Sequence, residues 1–442
     1  MPVRIVADDL TGAAEALLAF HQAGFGTLLD PQGMSDETGD SVVARTLDIR
    51  GAEDAQVARA FGQRTMPHPA FLGVDGLGGS PLGAFLREAL VRGPARMALL
   101  ATAHPDRGWS TVGGYALRLG KPVGADPHQP SALAIAGLRV WTLEWRELRR
   151  GPEAVASQFL SAAAAGAQVL VADAASHEDL ALLAHVALGS PFPVLPVGTA
   201  GLAAAWAGAI ARRRHTGPGV RLADGVAPGS LASVLDATGL PDPRRVRRLL
   251  PGRKPVLVIC GSDHPATLEQ ARRAAGKDGP LILDASALLF DGAPAGVFPT
   301  AWEDALNHAR GLLATGQDVI LATAGSTEDR ERVLAWGRAA GLPGEAVQDR
   351  LQQALGLVVS QLVEAHALSG IVVMGSRTAG TVWRALGRSQ AILEGAAEPW
   401  TPLLRLRPSG PRIVARGGSE GQTESLVRTL DLLRRLDGLD EV

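Results

Sequence analysis

Short apolar runs alternate along this chain with longer segments in which apolar residues recur at helical spacing. The runs predict strands, and the longer segments, such as Ala13–Ala23 and Pro152–Ala165, predict helices. Uninterrupted apolar strands that alternate with helices are typical of a parallel sheet covered on both faces. The strands predicted in the first half are Val3–Ala7, Val42–Leu47, Ala70–Val74, Met97–Ala101, Val169–Ala172 and Val194–Val197.

The alternation stops between about Gly217 and Gly252, where proline and glycine become frequent, as in a linker. It then resumes, and the clearest helix of the second half is Val347–His366, with one apolar stripe. A chain of 442 residues also exceeds the usual size of one hydrophobic core. We therefore predict an α/β fold of two domains, each a mostly parallel sheet flanked by helices, with an interdomain cleft. The predicted strands of the second half are Pro255–Cys260, Leu281–Leu283, Val319–Ala322, Ile371–Met374 and Arg412–Ala415.

Composition narrows the class of protein. The formal net charge is -2, which favours neither a nucleic-acid partner nor binding to an anionic membrane surface. No run of eighteen apolar residues occurs. The single Cys260 excludes an intrachain disulfide framework, and the N-terminus enters a strand-like segment without a signal-peptide core. These features predict a cytoplasmic protein without a nucleic-acid or membrane partner.

Polar residues follow four predicted strands of the first half, where open α/β sheets bind their ligands. Carboxylates accept hydrogen bonds from hydroxyls, and an arginine can bind a carboxylate through two parallel bonds. The set therefore suits a polyhydroxylated anion, although capping of the next helix is an equal alternative for the Asp8–Asp9 pair alone. The residues of this set are Asp8, Asp9, Asp48, Arg50, Asp75 and His104.

Three turns of the second half, Gly261–Thr267, Gly375–Gly380 and Arg416–Gly421, are rich in glycine and hydroxyl residues. Each lies between a predicted strand and a helix, so it offers backbone N–H groups that suit phosphates. None has the spacing of a P-loop or of a dinucleotide-binding fingerprint, which disfavours a dehydrogenase. The histidines are isolated along the sequence, and no metal site is predicted from them.

Six segments together resemble the four-carbon acid sugar kinase family. The first, Ile5–Ala13, reads IVADDLTGA and is similar to the opening signature of that family. The order and spacing of the six matches are more specific than any single one, and they extend over most of the chain. The other five segments are Val169–Leu180, Val197–Leu202, Val256–Gln270, Gly375–Ala379 and Arg416–Gly421.

The resemblance implies a sugar-acid-binding domain over residues 1–217, a linker over residues 218–253 and a nucleotide-binding domain over residues 254–442. It implies ATP and Mg²⁺ as cofactors and a threonate, erythronate or oxo-tetronate as substrate. Asp8 and Asp9 would grip or deprotonate the accepting hydroxyl, and Asp9 is preferred because it lies nearer the turn. Thr11, Asp48, Arg50, Asp75 and His104 would bind the sugar acid. The implied ATP-binding residues are Ser262, Gly375, Ser376, Arg377, Thr378, Gly418 and Gly421.

The chain departs from the family pattern mainly in the first half. Only Asp75 remains of a motif that normally carries two lysines and an arginine, and another family arginine is replaced by Trp109 or displaced to Arg107. In the second half Arg416 stands for a lysine and Arg377 for an acidic residue. Two functions therefore stay open: a kinase acting on a four-carbon acid sugar or a variant substrate, and a catalytically decayed relative that binds nucleotide or metabolite in a regulatory role. The sugar acid, the accepting hydroxyl and any homo-oligomer are not determined by the sequence.

Overall fold

A computed structural model of the chain describes most of its residues. The chain divides into two compact units, Met1–Val226 and Ala227–Val442. This division falls inside the predicted linker, which lies outside the described residues, so the domain bounds and the interdomain cleft stay predictions. The described residues are 3–31, 41–47, 54–62, 71–74, 81–123, 127–214, 254–283, 300–339, 341–387, 390–407 and 410–440.

The first unit is built on a parallel sheet. Its described strands run in the order β2-β3-β1-β4-β11-β5-β10-β9, and every neighbouring pair is parallel. The strands β6, β7 and β8 form a separate antiparallel sheet that the sequence did not predict. The strands are β1 (Arg4–Ala7), β2 (Thr27–Leu29), β3 (Val42–Thr46), β4 (Phe71–Gly73), β5 (Met97–Ala101), β6 (Trp109–Val112), β7 (Tyr115–Arg118), β8 (Lys121–Pro122), β9 (Val140–Leu143), β10 (Val169–Ala172) and β11 (Val194–Gly198).

Helices pack on this sheet because its central strands are apolar on both faces. All five residues of Met97–Ala101 are buried, and Phe85 and Leu86 from a flanking helix join Leu100 and Val171 in one core cluster. The predicted α/β class is confirmed for this unit. Its helices are α1 (Leu10–Gln22), α2 (Asp54–Gly62), α3 (Leu82–Arg92), α4 (Gln129–Ile135), α5 (Trp145–Leu148), α6 (Pro152–Ala164), α7 (His177–Gly189) and α8 (Ala200–Arg214).

The second unit has a mixed sheet, ordered β13-β14-β12-β15-β18-β17-β16 in the described residues. The five strands β13, β14, β12, β15 and β18 are parallel, as predicted. The strands β17 and β16 form an antiparallel hairpin, which pairs with β18 through β17. The hairpin turn is Pro399–Trp400, and Trp400 has φ +60 without the glycine or asparagine that usually marks such a turn. The strands are β12 (Val256–Cys260), β13 (Leu281–Ile282), β14 (Val319–Ala322), β15 (Gly370–Met374), β16 (Ala391–Glu398), β17 (Thr401–Leu406) and β18 (Arg412–Arg416).

The helices of the second unit include the long one that the sequence predicted. Its apolar stripe from Val347 to Leu362 is buried, so that prediction is confirmed. Among the described helices of the whole chain, none is both long and apolar enough to cross a membrane. The helices are α9 (Pro265–Ala275), α10 (Thr300–Ala314), α11 (Thr327–Ala339), α12 (Gly344–Ala365), α13 (Ser376–Ala385) and α14 (Ser425–Asp440).

Candidate functional site

The carboxyl edge of the first sheet begins with Asp8, directly after β1. Its backbone N–H donates to the carbonyl of Gly73 at the end of β4, 3.2 Å away. The backbone N–H of Leu47, after β3, donates to the carbonyl of Ala7 at 3.0 Å. Three parallel strands therefore end side by side at Asp8, and the side chain of this residue is fully buried.

Asp9 is the N-cap of α1. Its backbone is extended, with φ -145, and its Oδ1 accepts the backbone N–H of Gly12 at 2.8 Å. The same Oδ1 accepts the hydroxyl of Thr11 at 2.9 Å. The capping alternative considered for this pair is thus realised at Asp9, and a further role in accepting a proton would fall to Oδ2. Thr11 is buried, and its hydroxyl is the donor in this hydrogen bond to Asp9.

His104 lies after β5 at the same edge. Its backbone exchanges hydrogen bonds with Trp109, which starts the hairpin strand β6. Burial, with a smaller contribution from the nearby Arg107, lowers the pKa of His104 to about 3. The imidazole is therefore neutral near pH 7 and cannot supply a positive charge to an acidic ligand.

The three other predicted substrate residues, Asp48, Arg50 and Asp75, lie outside the described residues. Their roles stay predictions. The strands that precede them, β3 and β4, are both hydrogen-bonded neighbours of β1.

A buried ion pair at this edge was not predicted from the sequence. Arg107 donates from both terminal nitrogens to the carboxylate of Glu15 on α1, at 2.9 and 3.0 Å. Glu15 is buried, and the side chain of Arg107 is 17% exposed. The pair joins residues 92 positions apart, so no local spacing could have indicated it. If the family arginine is displaced to Arg107, its guanidinium is here bound to Glu15 of the same chain.

Two acidic residues of the resembling segment Val169–Leu180 hold the backbone in place. Asp173 accepts the N–H groups of Gly113 and Gly114, in the turn between β6 and β7, at 2.8 and 2.9 Å. It also accepts the N–H of Trp145 at 3.0 Å. Asp179 forms a capping box with Ser176 at the start of α7. This part of the family pattern has a structural explanation.

The glycines of the segment Val197–Leu202 are required by close packing. A Cβ at Gly198 would lie 2.2 Å from the carbonyl oxygen of Ala101, and one at Gly201 would lie 2.6 Å from that of Ala103. Thr199 donates its hydroxyl to the same Ala103 carbonyl at 2.7 Å. The start of α8 is therefore seated against the end of β5, beside His104.

The three glycine-rich turns of the second unit meet at the carboxyl edge of its sheet. A Cβ at Gly418 would lie 2.0 Å from Oγ of Ser262, and a Cβ at Gly261 would lie 2.0 Å from Oγ1 of Thr378. A Cβ at Gly375 would lie 3.4 Å from the Cβ of Ser262. The structure thus brings together four predicted residues that lie up to 156 positions apart in the numbering.

One of these turns opens α13. Gly375 has φ +122, a conformation that favours glycine, and α13 begins at the next residue, Ser376. Ser376 and Thr378 are buried in the first turn of this helix, whereas Arg377 between them is exposed. Free N–H groups and the positive end of the helix dipole make such a terminus favourable for an anion.

The turn after β18 is held tightly. Gly417 donates its N–H to the side chain of Glu420 at 3.3 Å, and Gly421 has φ +82. Arg416, the residue before the turn, is buried, with its guanidinium bonded to Glu398 and Gln270. Burial lowers the pKa of Arg416, and the carboxylate of Glu398 opposes that change.

Cavities of different size border the described part of the second unit. One of about 50 Å³ lies at the carboxyl edge and is lined by Gly261, Asp263 and Thr323, among others. Another, of about 1240 Å³, lies at the opposite edge, beside Lys254, Asp318 and Arg434. The predicted ATP-binding residues do not line the larger one.

The second unit offers no reactive thiol, since burial raises the pKa of Cys260 to about 12. Across the described parts of both units, no group of three or more His, Cys, Asp or Glu residues is arranged to hold a metal ion.

Comparison with known protein families covers both units. The family described as a sugar-binding N-terminal domain matches residues 84–206, and the family described as a nucleotide-binding C-terminal domain matches residues 257–426. The chain belongs to the four-carbon acid sugar kinase family. The resemblance found in the sequence is thereby confirmed.

Two sugar acid kinases are similar over nearly the whole chain, and a third is similar over about three fifths of it. A D-threonate kinase of Salmonella typhimurium is 25% identical over 91% of this chain and 90% of its own length. A D-threonate kinase of Bordetella bronchiseptica is 26% identical over 98% of this chain and 97% of its own length. A D-erythronate kinase of Heliobacterium modesticaldum is 28% identical over 61% of this chain and 59% of its own length.

Solved structures share the fold. A Salmonella typhimurium protein superposes with a TM-score of 0.65 at 17% identity, covering 97% of this chain and 98% of its own. A Haemophilus influenzae protein, from a domain family without assigned function, superposes with a TM-score of 0.60 at 13% identity. The superposition covers 98% of this chain and 100% of that protein. At these identities the likeness concerns the fold alone.

Proposed function

We propose that this protein is an ATP-dependent kinase that phosphorylates a hydroxyl of a small sugar acid, either a four-carbon acid sugar or a close variant. The observation that supports this most directly is the meeting of Ser262, Thr378 and Gly418 at one sheet edge, beside the N-terminus of α13. Membership of a family with D-threonate and D-erythronate kinases adds the substrate class.

The edge of the second unit suits the phosphates of ATP. Glycine at positions 261, 375 and 418 lets the three turns approach each other closely, with the hydroxyl side chains of Ser262 and Thr378 at the points of contact. Phosphoryl transfer depends chiefly on positioning and charge neutralisation, which such turns provide. Mg²⁺ commonly binds through phosphates and one or two carboxylates, and Asp263 is the carboxylate that would complete its shell here.

The edge of the first unit suits the acceptor. An alcohol becomes a good nucleophile when a carboxylate takes its proton during attack. Asp8 and Asp9 are the acidic pair at the end of β1, and we propose that one of them has this role. Because Arg107 is bound to Glu15, Arg50 is the residue we propose for binding the substrate carboxylate.

Release of ADP should be measured over a panel of C3 to C6 sugar acids and their lactones, including D-threonate and D-erythronate. We expect saturable turnover with at least one acid and none with the matching neutral sugar. Binding of Mg-ATP should be followed in parallel through the melting temperature, because a ligand selective for the native state raises it. Binding without turnover on any acid would favour the decayed, regulatory relative, and absence of both would refute the proposal.

A further inference from the structure

The turn Gly417–Gly421 is attached to helix α9 by two side chains of that helix. Thr267 donates its hydroxyl to the carbonyl oxygen of Gly418 at 2.7 Å. Gln270, one helical turn later, donates its Nε2 to the carbonyl oxygen of Glu420 at 2.8 Å. Residues three apart lie on the same helix face, so both bonds leave α9 toward the same loop.

The other end of the Gln270 amide binds Arg416. Oε1 of Gln270 accepts a hydrogen bond from Nη2 of Arg416. Nη1 of Arg416 donates to Glu398 on β16 at 3.3 Å. Arg428 on α14 donates to the second oxygen of Glu398 at 2.7 Å. A continuous chain of bonds thus runs from α14 through the strand before the turn to α9.

None of the three central side chains reaches the surface. Thr267 is 0% exposed, and Gln270 and Arg416 are each 1% exposed. A ligand at the sheet edge would meet the turn itself, where Gly418 and Glu420 are partly exposed, and not these side chains. The family lysine for which Arg416 stands is thus replaced here by a group that faces inward.

The bonds also determine which way the turn presents its N–H groups. A carbonyl held by a buried donor points into the protein, so the peptide N–H groups on the other side of the turn point away from it. Buried hydrogen bonds of this kind are costly to lose, because the remaining acceptor keeps no substitute partner. Gly418 is at the same time packed against Ser262, so a shift of the turn would disturb both proposed phosphate contacts.

We propose that Thr267 and Gln270, together with Arg416, are positioning residues that hold the Gly417–Gly421 turn in the conformation that binds ATP, without contacting the nucleotide themselves. This inference rests on the proposed function of the second unit. According to this inference, the buried face of α9 that carries Thr267 and Gln270 contributes to ATP affinity and does not affect binding of the sugar acid.

The test uses Thr267→Val, which keeps the shape of the side chain and removes the donor to Gly418. The KM for ATP should rise roughly five- to tenfold, the loss expected for one buried hydrogen bond. The KM for the sugar acid should stay within about twofold of wild type, and Thr267→Ser, which restores a hydroxyl, should recover most of the ATP affinity.

Thr429→Val is the matched control. Thr429 is also a fully buried threonine of the second unit, and its hydroxyl donates to a backbone carbonyl, that of Ser425, at 2.9 Å within α14. This variant makes the same exchange of a buried threonine for valine in the second unit, and it should leave the KM for ATP unchanged.

Gln270→Glu separates the two ends of the amide. The carboxylate can still accept from Arg416, but it has no N–H for the carbonyl of Glu420, so we expect some loss of stability and a raised KM for ATP. Equal ATP affinity in wild type, Thr267→Val and Gln270→Glu would refute the positioning role. If wild type itself shows no Mg-ATP-induced rise in melting temperature, the proposed nucleotide site is wrong instead.

Discussion

Parallel strands end at a carboxyl edge in both sheets, but the chemistry of the two edges differs. In the first unit the edge carries ionisable side chains, Asp8, Asp9 and His104, each buried among partners. In the second unit the edge consists of turns that pack closely against one another, because Gly261 and Gly418 have no side chain. A carboxylate can be replaced by an amide of the same shape, whereas a backbone N–H can only be displaced by adding bulk. The two edges therefore call for different kinds of variant.

The largest effect is expected from the aspartates. Removing the general base should lower turnover by about 10²–10⁴-fold. Asp9→Asn isolates the charge, because asparagine caps a helix about as well as aspartate and α1 should stay intact. Asp8→Asn tests the neighbouring carboxylate, and both are assayed by ADP release and by ATP binding.

ATP affinity should stay within about twofold of wild type in these variants, since the proposed nucleotide contacts belong to the second unit. Asp9→Ala serves as a control for capping alone, with an expected loss of about 1 kcal/mol of stability. If Asp8→Asn and Asp9→Asn both turn over nearly normally, these aspartates have structural roles and the base must be sought at Asp48 or Asp75.

In the second unit, adding a side chain at a glycine of the turns should weaken ATP binding. In Gly418→Ala the new Cβ would lie 2.0 Å from Oγ and 2.5 Å from Cβ of Ser262, so one of the two turns must move. Overpacking of this kind costs about 1–3 kcal/mol, which corresponds to roughly 5- to 150-fold in ATP affinity if the moved turn binds phosphate. Calorimetric titration with Mg-ATP measures this loss.

The control for Gly418→Ala is Gly311→Ala, inside α10, where a Cβ would meet no atom within 4 Å. This variant should be more stable by up to about 1 kcal/mol, because alanine favours helix over glycine, and should bind ATP normally. Unchanged ATP affinity in Gly418→Ala would show that the Gly417–Gly421 turn is not part of the nucleotide site.

The smallest effect concerns pH and His104. Its folded-state pKa of about 3 lies below the ordinary value of 6.5, so the unfolded chain binds the proton first as the pH falls. Stability is then present above pH 6.5 and is lost on acidification, by about 2 kcal/mol between roughly pH 7.5 and pH 5. Denaturant unfolding of wild type and His104→Gln should differ in pH dependence by this amount. Parallel curves would mean that His104 is accessible to protons in the native state.

The sequence predicted six of the eight described parallel strands of the first unit and all five of the second, because a strand buried on both faces has an uninterrupted apolar run such as Met97–Ala101. It missed the short β2 and the less buried β9. The glycine-rich turns that it singled out after β12, β15 and β18 come together in the structure, since the carboxyl ends of parallel strands share one edge. It did not predict the β16–β17 hairpin, whose turn uses Trp400 at positive φ instead of glycine. Nor did it predict the Glu15–Arg107 pair, which depends on tertiary packing across 92 positions.

Asp173 has a consequence for the order in which the first unit forms. The β6–β7 hairpin is local in sequence, yet the acceptor for its turn amides lies about sixty residues later in the chain. During synthesis the hairpin emerges well before that acceptor, and so does the amide of Trp145. All three amides should therefore become protected from solvent exchange in a single step, when β10 docks in the sheet, however early the hairpin itself has closed.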